Sequence, residues 1–301
     1  MCSTISFSRP PGWRRRSISG YAAPRSLQEA LELLNRYGDD AKLLAGGHSL
    51  IPAMKLRLAR PGYLIDLGRL PGLSGVRIEG DSLSVGALTV HADVASSELV
   101  HQRLPGLAEA ASLIGDVQVR NRGTIGGSVA HADPAADFPV ILTALNASFV
   151  LVSPSGSRVV SAEDFFVDFY TTALAPNEVL TEIRVPLPPP GAGTAYAKLP
   201  HPASGYVVVS AGALVNRQPS GARVSVRVAI GGLDSVPFRA RATEAALQGQ
   251  QLTPEIIAAA AAKAAEGADL DDDVYASADY KRHMATVYAR KAIEAAASRK
   301  R

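Results

Sequence analysis

Apolar positions recur along the chain with two different periods, and the alternation between them maps most of the elements. In "SLQEALELLNRYG", from Ser26, leucines fall on one helical face, with a capping serine at the front and Glu29 three residues later; the pattern predicts a helix ending at Gly38. "AKLLAGG" then predicts a short buried strand running into Gly46 and Gly47, and "GYLIDL", from Gly62, predicts a second strand after Pro61, so the chain opens as a β-α-β unit. "GVRIEGDSLSVGALTV" alternates apolar and polar residues about Gly80-Asp81 and predicts a hairpin. "PGLAEAASLIG" predicts a helix led by proline, "DFPVILTALN" another, and "ASFVLVSPSGSRVVS" a hairpin about its Pro-Ser-Gly turn.

The pattern breaks at "RVPLPPPGAGTAYAKLP", where Pro186, Pro188, Pro189 and Pro190 forbid helix continuation, and a domain boundary is expected there. Beyond it lie strand-like runs, "GYVVVSAGALV" and "ARVSVRVAIGGL", then alanine-rich helices from Ala240, Thr253 and Ser277. Strands and helices grouped in blocks indicate an α+β fold. The expected organisation is a flexible N-terminal extension over residues 1–20, a larger domain over 21–188 and a smaller one over 189–301. The first twenty residues lack an apolar stretch after Arg14–Arg16, which argues against a secretory signal and makes the cytoplasm the default location.

Composition changes this picture in two places. A lone cysteine, Cys2, excludes a disulfide framework, a multi-cysteine zinc site and an iron–sulfur cluster built by this chain alone. The formal charge of +3 is spread along the chain apart from Arg14–Arg16, and no apolar run approaches the ~20 residues of a bilayer span, so nucleic acid and membrane insertion are not expected.

Candidate chemistry gathers at "LLAGGHSL" and "RGTIGGSVAHADPAADFP". Each glycine pair, Gly46-Gly47 and Gly126-Gly127, is read as the end of an apolar strand, where bare backbone N–H groups could approach a pyrophosphate. Neither is a G-x-G-x-x-G fingerprint, and a tight turn would leave the same pattern. Ser49, Thr124 and Ser128 add hydroxyls. Asp133 is expected to cap the helix that follows; for Asp137, a cap and a ligand contact stand level. His48 and His131 follow the glycine pairs, but without cysteine neighbours or H-x-x-x-H spacing a metal site has little support, and G-x-S-x-G is absent.

Together "KLLAGGHSLIPAMKLRLARPGYLIDL", "VRNRGTIGGSVAHADPAADFP", "FYTTALAPNEVLTEIRVP" and "SADYKRHMATVYARKAI" resemble the FAD-binding medium subunit of the xanthine dehydrogenase and aerobic carbon monoxide dehydrogenase family of molybdenum hydroxylases. The resemblance runs from about Tyr21 to about Ile293. It implies a two-subdomain FAD-binding domain of the vanillyl-alcohol oxidase (PCMH) type followed by a smaller C-terminal α+β flavoprotein domain.

It further implies that Leu43, Leu44, Ala45, Gly46, Gly47, His48, Ser49 and Leu50, with Thr124, Ile125, Gly126, Gly127 and Ser128, wrap the FAD. Ile114, Asp137, Leu180, Lys198 and Tyr206 fall at further contact positions, Tyr206 against the isoalloxazine ring. An aspartate common in the family just before that tyrosine is replaced here by Ser204-Gly205. FAD is expected to be noncovalent, although relatives in the wider superfamily attach flavin through a histidine placed like His48.

The implied role is electron transfer: electrons reach FAD from two [2Fe–2S] clusters of a small subunit, after oxidation of substrate at a molybdenum centre in a large subunit, and pass to NAD, a quinone or oxygen. A dimer of heterotrimers is the implied assembly. No catalytic side chain and no metal ligand of this chain is expected, because the cofactor carries the chemistry. A stand-alone flavin oxidase or dehydrogenase and a flavin-free assembly scaffold are the alternatives.

Overall fold

A computed structural model describes residues 18–217 and 224–299. Expectations for residues 1–17 lie outside the described residues; the first strand, Gly20–Ala22, pairs in parallel with Tyr63–Asp66, which pairs in turn with Ala41–Leu44. The crossover helix Leu27–Tyr37 begins where its sequence predicts: Ser26 Oγ accepts the Glu29 amide, and the Glu29 carboxylate accepts the Arg25 amide. Ala30, Leu31 and Leu34 bury its inner face against Ile65.

A second sheet has five antiparallel strands in the order Val76–Glu79, Ser82–Gly86, Val179–Pro186, Ser148–Ser153, Gly156–Ser161. Both predicted hairpins form. Gly80, at φ 56°, makes the two-residue turn of the first. The late strand Val179–Pro186 inserts between the two hairpins and joins them into one sheet. Helices Pro105–Ser112, Ile125–His131 and Asp137–Ala144 complete the core of this unit through Leu107, Ile125, Phe138 and Ile141, which meet Leu83, Phe149 and Ile183. The three- and five-stranded sheets are the two expected subdomains.

The proline-rich stretch expected to mark a boundary also holds a strand that the sequence reading did not predict. The prolines do end Val179–Pro186, but a nine-residue strand, Ala192–Pro200, follows at once and leads a four-stranded sheet with Val207–Arg217, Val224–Gly231 and Phe238–Arg239. Its residues are small because both sides are crowded. A methyl group on Gly106 would lie 2.8 Å from the Ala195 amide nitrogen, and one on Gly193 would lie 2.1 Å from the Ala296 carbonyl oxygen. The predicted C-terminal helices appear as Arg241–Leu247, Pro254–Ala261 and Ala278–Ser298. Glu163, in the short helix Ala162–Phe165, accepts from Arg227, Arg239 and Arg241 and so ties the second sheet's unit to the last one.

Candidate functional site

The first glycine pair behaves as its sequence suggests. Ala41–Leu44 ends, the chain turns through Ala45 to Ser49, and a short helix, Leu50–Lys55, begins. Gly47 sits at φ +76°, a conformation side chains rarely adopt. Gly46 is required by close approach, since a methyl group there would lie 2.2 Å from the Arg122 carbonyl oxygen and 2.7 Å from Gly123 Cα. Among the described residues, the amides of Gly46, Gly47, His48 and Ser49 donate to no protein acceptor. Unpaired N–H groups in succession at a left-handed turn form a concavity suited to an anion.

The second pair departs from expectation. Gly126 and Gly127 do not end a strand; they form the first turn of the helix Ile125–His131, capped by Thr124, whose Oγ1 accepts the Gly127 amide at 3.1 Å. Ile125 N–H donates to Thr89 O at 3.0 Å and Gly126 N–H to Ala87 O at 2.9 Å. The donors read as free for a phosphate are therefore used by the chain. Gly126 is small because a methyl group would lie 2.5 Å from Ala87 Cβ. Gly127 instead faces the first loop: a methyl group there would meet Thr124 Oγ1 at 2.8 Å and, next, Ala45 Cβ at 3.9 Å. The two loops thus pack closely at Gly46 against Arg122 and Gly123, Gly127 leaves the space beside Ala45 open, and Ser128 follows half-buried.

Asp137 and Lys198 come together, 61 residues apart in sequence. Lys198 Nζ donates to Asp137 Oδ1 at 2.8 Å and to the Leu113 carbonyl at 2.9 Å, while Tyr196 Oη donates to the same carboxylate oxygen at 2.9 Å. Only 2% of the lysine side chain and 6% of the aspartate side chain are exposed. Burial pushes the Asp137 carboxyl up from the ordinary carboxylate range, and the Lys198 ammonium opposes that rise. Asp137 is the first helical residue of Asp137–Ala144 and Ala136 is its cap, so the capping reading fails for both aspartates. Asp133 Oδ1 instead accepts the Ala135 amide at 2.9 Å, an Asx turn ahead of the helix.

The remaining predicted residues divide. Ile114 adjoins Leu113, half-buried, its carbonyl held by Arg120 Nη1 at 3.0 Å. Leu180 is buried in the core of the second sheet, opposite Leu151 at a β-bulge. Tyr206 is 49% exposed on the turn before Val207–Arg217. Its phenol pKa is raised by partial burial and by the charges of Asp133 and Asp137.

Sequence reasoning passed over His91. Its imidazole is 5% exposed and lies beneath the Arg122-Gly123-Thr124 turn, so that a methyl group on Gly123 would be 2.5 Å from Nε2. Among the described residues Nδ1 has no partner. Burial, helped by the nearby charges of His48 and Arg120, pulls its pKa down to about 4, and the ring is neutral at physiological pH. A histidine at a helix start carries no motif, which is why nothing flagged it. Among the described residues no cluster of metal-ligating side chains occurs, and no helix is long and apolar enough to cross a membrane.

Residues 16–188 match the family described as the FAD binding domain in molybdopterin dehydrogenase, and residues 194–296 match the CO dehydrogenase flavoprotein C-terminal domain. The chain is 46% identical to the carbon monoxide dehydrogenase medium chain of Hydrogenophaga pseudoflava, over 93% of this chain and 97% of that protein. It is 39% identical to the glyceraldehyde dehydrogenase medium chain of Sulfolobus acidocaldarius, over 91% of this chain and 96% of that one. A solved carbon monoxide dehydrogenase from Hydrogenophaga pseudoflava superposes with a TM-score of 0.89 at 47% identity, covering 94% of this chain and 98% of that one. Quinoline 2-oxidoreductase from Pseudomonas putida 86 superposes with a TM-score of 0.86 at 33% identity, covering 93% of this chain and 96% of that one. An α+β flavoprotein whose two glycine loops close on each other, matched along nearly its whole length, this chain belongs to the family of FAD-binding medium subunits of molybdenum hydroxylases, which are oxidoreductases.

Proposed function

We propose that the chain holds FAD noncovalently on residues 21–188, with residues 189–301 closing the site, in a cytoplasmic dimer of heterotrimers with a molybdenum-bearing large subunit and a [2Fe–2S] small subunit. The bound FAD would supply the redox step, taking electrons from the small subunit and passing them to NAD, a quinone or oxygen. One observation carries this reading: the unpaired amides of Gly46, Gly47, His48 and Ser49, set in a left-handed turn, fit a diphosphate.

Each remaining task falls to residues of this chain. The first loop binds; the second shapes the wall, with Gly127 leaving the space beside Ala45 open and Ser128 offering a hydroxyl. Tyr206, exposed on its turn, offers a ring face for offset stacking, favourable by about 1 kcal/mol. Asp137 and Lys198 position Leu113 and Ile114 from behind. Leu180 contributes packing.

The test is acid precipitation of the purified chain. The reading expects one FAD per chain in the supernatant and near-complete loss in a Gly47→Val variant. Flavin that stays with the precipitate would overturn the noncovalent assignment, and a colourless wild-type protein would overturn the whole reading.

A further inference from the structure

The strand Ala192–Pro200 lies at one edge of its sheet, and the helix Pro105–Ser112 runs along that edge. Three contacts hold the two in register. Thr194 Oγ1 accepts the Gly106 amide at 3.1 Å near the helix start, the Tyr196 amide donates to Glu109 Oε2 at 2.9 Å in its middle, and Lys198 Nζ donates to Leu113 O at 2.9 Å just past its end. Positions 194, 196 and 198 recur with the period of a strand, and 106, 109 and 113 with that of one helical face. A slip of either element would break all three.

An edge strand leaves amides and carbonyls without a neighbouring strand to pair them. Here an ion pair stands in for that strand. Glu109 takes the Tyr196 amide, while Arg299, one residue beyond the last helix, donates to both Glu109 oxygens and to the Thr194 carbonyl, two residues along the same edge. The helix end also presses on the strand, since a methyl group on Gly193 would lie 2.9 Å from the Arg299 carbonyl oxygen. The side chains of Arg299 and Glu109 are 29% and 35% exposed, open enough to water that their attraction adds little stability. What the planar, forked guanidinium adds is direction.

The helix delivers the turn Leu113–Gly115, whose three carbonyls are all engaged: Leu113 O by Lys198, and Ile114 O and Gly115 O by Arg120 Nη1 at 3.0 Å each. Gly115 closes the turn at φ 47°. With its acceptors taken up, the turn presents apolar side chains, and Leu113 is 46% exposed. We propose that Arg299 is a positioning residue for the flavin: by fixing Glu109 against the strand edge it sets the register of the helix Pro105–Ser112, and through it the place of Leu113 and Ile114 at the flavin. The inference rests on the proposed function, which puts Ile114 against the cofactor. It adds that the last turn of the second domain adjusts a contact built in the first.

The test strips flavin from the purified full-length chain and titrates FAD back, comparing wild type with Arg299→Met, Glu109→Gln and the double variant. Arg290→Met, which removes the Arg290–Glu294 ion pair from the same helix, serves as control. The proposal expects at least fivefold weaker FAD binding and an altered visible circular dichroism spectrum of the bound flavin in each single variant, with the double variant no worse than the poorer single one, because the two residues act as a unit. The control should match wild type in both. An unchanged flavin spectrum overturns the proposal whatever happens to the unfolding midpoint, as do single effects that simply add or a change shared by Arg290→Met. Should Arg299→Met fail to fold, Arg299→Lys decides, since lysine keeps the charge but lacks the fork that spans Glu109 and the Thr194 carbonyl: an altered spectrum supports the assignment, and a wild-type one overturns it. A wild-type chain that takes up no FAD overturns the proposed function itself, whereas variants that bind FAD as the wild type does overturn only the role of Arg299.

Discussion

Replacing Lys198 by methionine keeps the length of the side chain and removes its charge from one of the least accessible places in the protein. In the native chain the ammonium satisfies Asp137 Oδ1 at 2.8 Å and Leu113 O at 2.9 Å, with 2% of its side chain exposed. Without it the carboxylate keeps only the Tyr196 hydroxyl among its side-chain partners. Removing one partner of a buried pair costs about 3–5 kcal/mol, since the other charge stays buried and uncompensated. The lower figure corresponds to a fall of roughly 6–12 °C in unfolding midpoint, if a domain of this size loses about 2–4 °C per kcal/mol.

The carboxylate has one escape, which is to take up a proton. Burial already pushes Asp137 up, and the ammonium is the main opposing influence, so the variant's carboxyl rises further. A raised carboxyl binds more protons folded than unfolded, so its penalty is greatest above the folded pKa and shrinks as pH falls toward the unfolded value. Thermal unfolding of Lys198→Met against wild type at pH 7.5 and pH 5.5 should therefore show a gap that narrows in acid, and Asp137→Asn added to Lys198→Met should recover part of the loss at pH 7.5. A gap below about 1 kcal/mol at pH 7.5, or one that ignores pH, would refute the reasoning.

Other expectations concern the loops and the buried histidine. Gly46→Ala should part the two loops, because the new methyl group would lie 2.2 Å from a backbone oxygen that cannot move alone, and should release flavin as measured by absorbance per chain. Thr124→Ala removes the hydroxyl that accepts the Gly127 amide and should cost about 1 kcal/mol in urea unfolding. Gly127→Val should cost more than that and also lose flavin, since its side chain collides with the same hydroxyl at 2.8 Å and turns toward Ala45. For His91 the folded pKa of about 4 lies below the unfolded value, so the unfolded chain binds the extra proton and stability falls as pH drops from about 6.5 toward 4. The fall is at most about 3 kcal/mol, and His91→Gln should flatten that limb of the urea-midpoint profile.

Most elements were legible because their signals are local. Ser26 with Glu29, Gly80-Asp81, and Thr253 followed by Pro254 each settle an end of an element through a hydrogen bond or a backbone angle belonging to neighbouring residues. The strand Ala192–Pro200 was hidden because its alanines and glycines answer to distant partners, the Pro105–Ser112 helix on one side and the end of the Ala278–Ser298 helix on the other. Low strand propensity there records crowding. Asp137 and Lys198 were each picked out by sequence, but their mutual bond was not, since 61 residues separate them and no spacing rule reaches across two domains.

The two glycine pairs show where reading by motif gives way to reading by contact. At Gly46-Gly47 the dipeptide serves both a close backbone approach and a left-handed turn, and its amides stay unpaired. At Gly126-Gly127 the same dipeptide begins a helix, with its amides taken up by Ala87 and Thr124. A sequence weighs the two pairs equally, whereas hydrogen-bond accounting does not, because every amide already satisfied within the chain would have to break a bond worth about 1 kcal/mol before meeting a ligand. It follows that substitutions at the second pair should act first on stability and only then on flavin, while Gly47→Val should act on flavin at once. The order in which unfolding midpoint and flavin content fall across the two loops therefore separates wall from cradle.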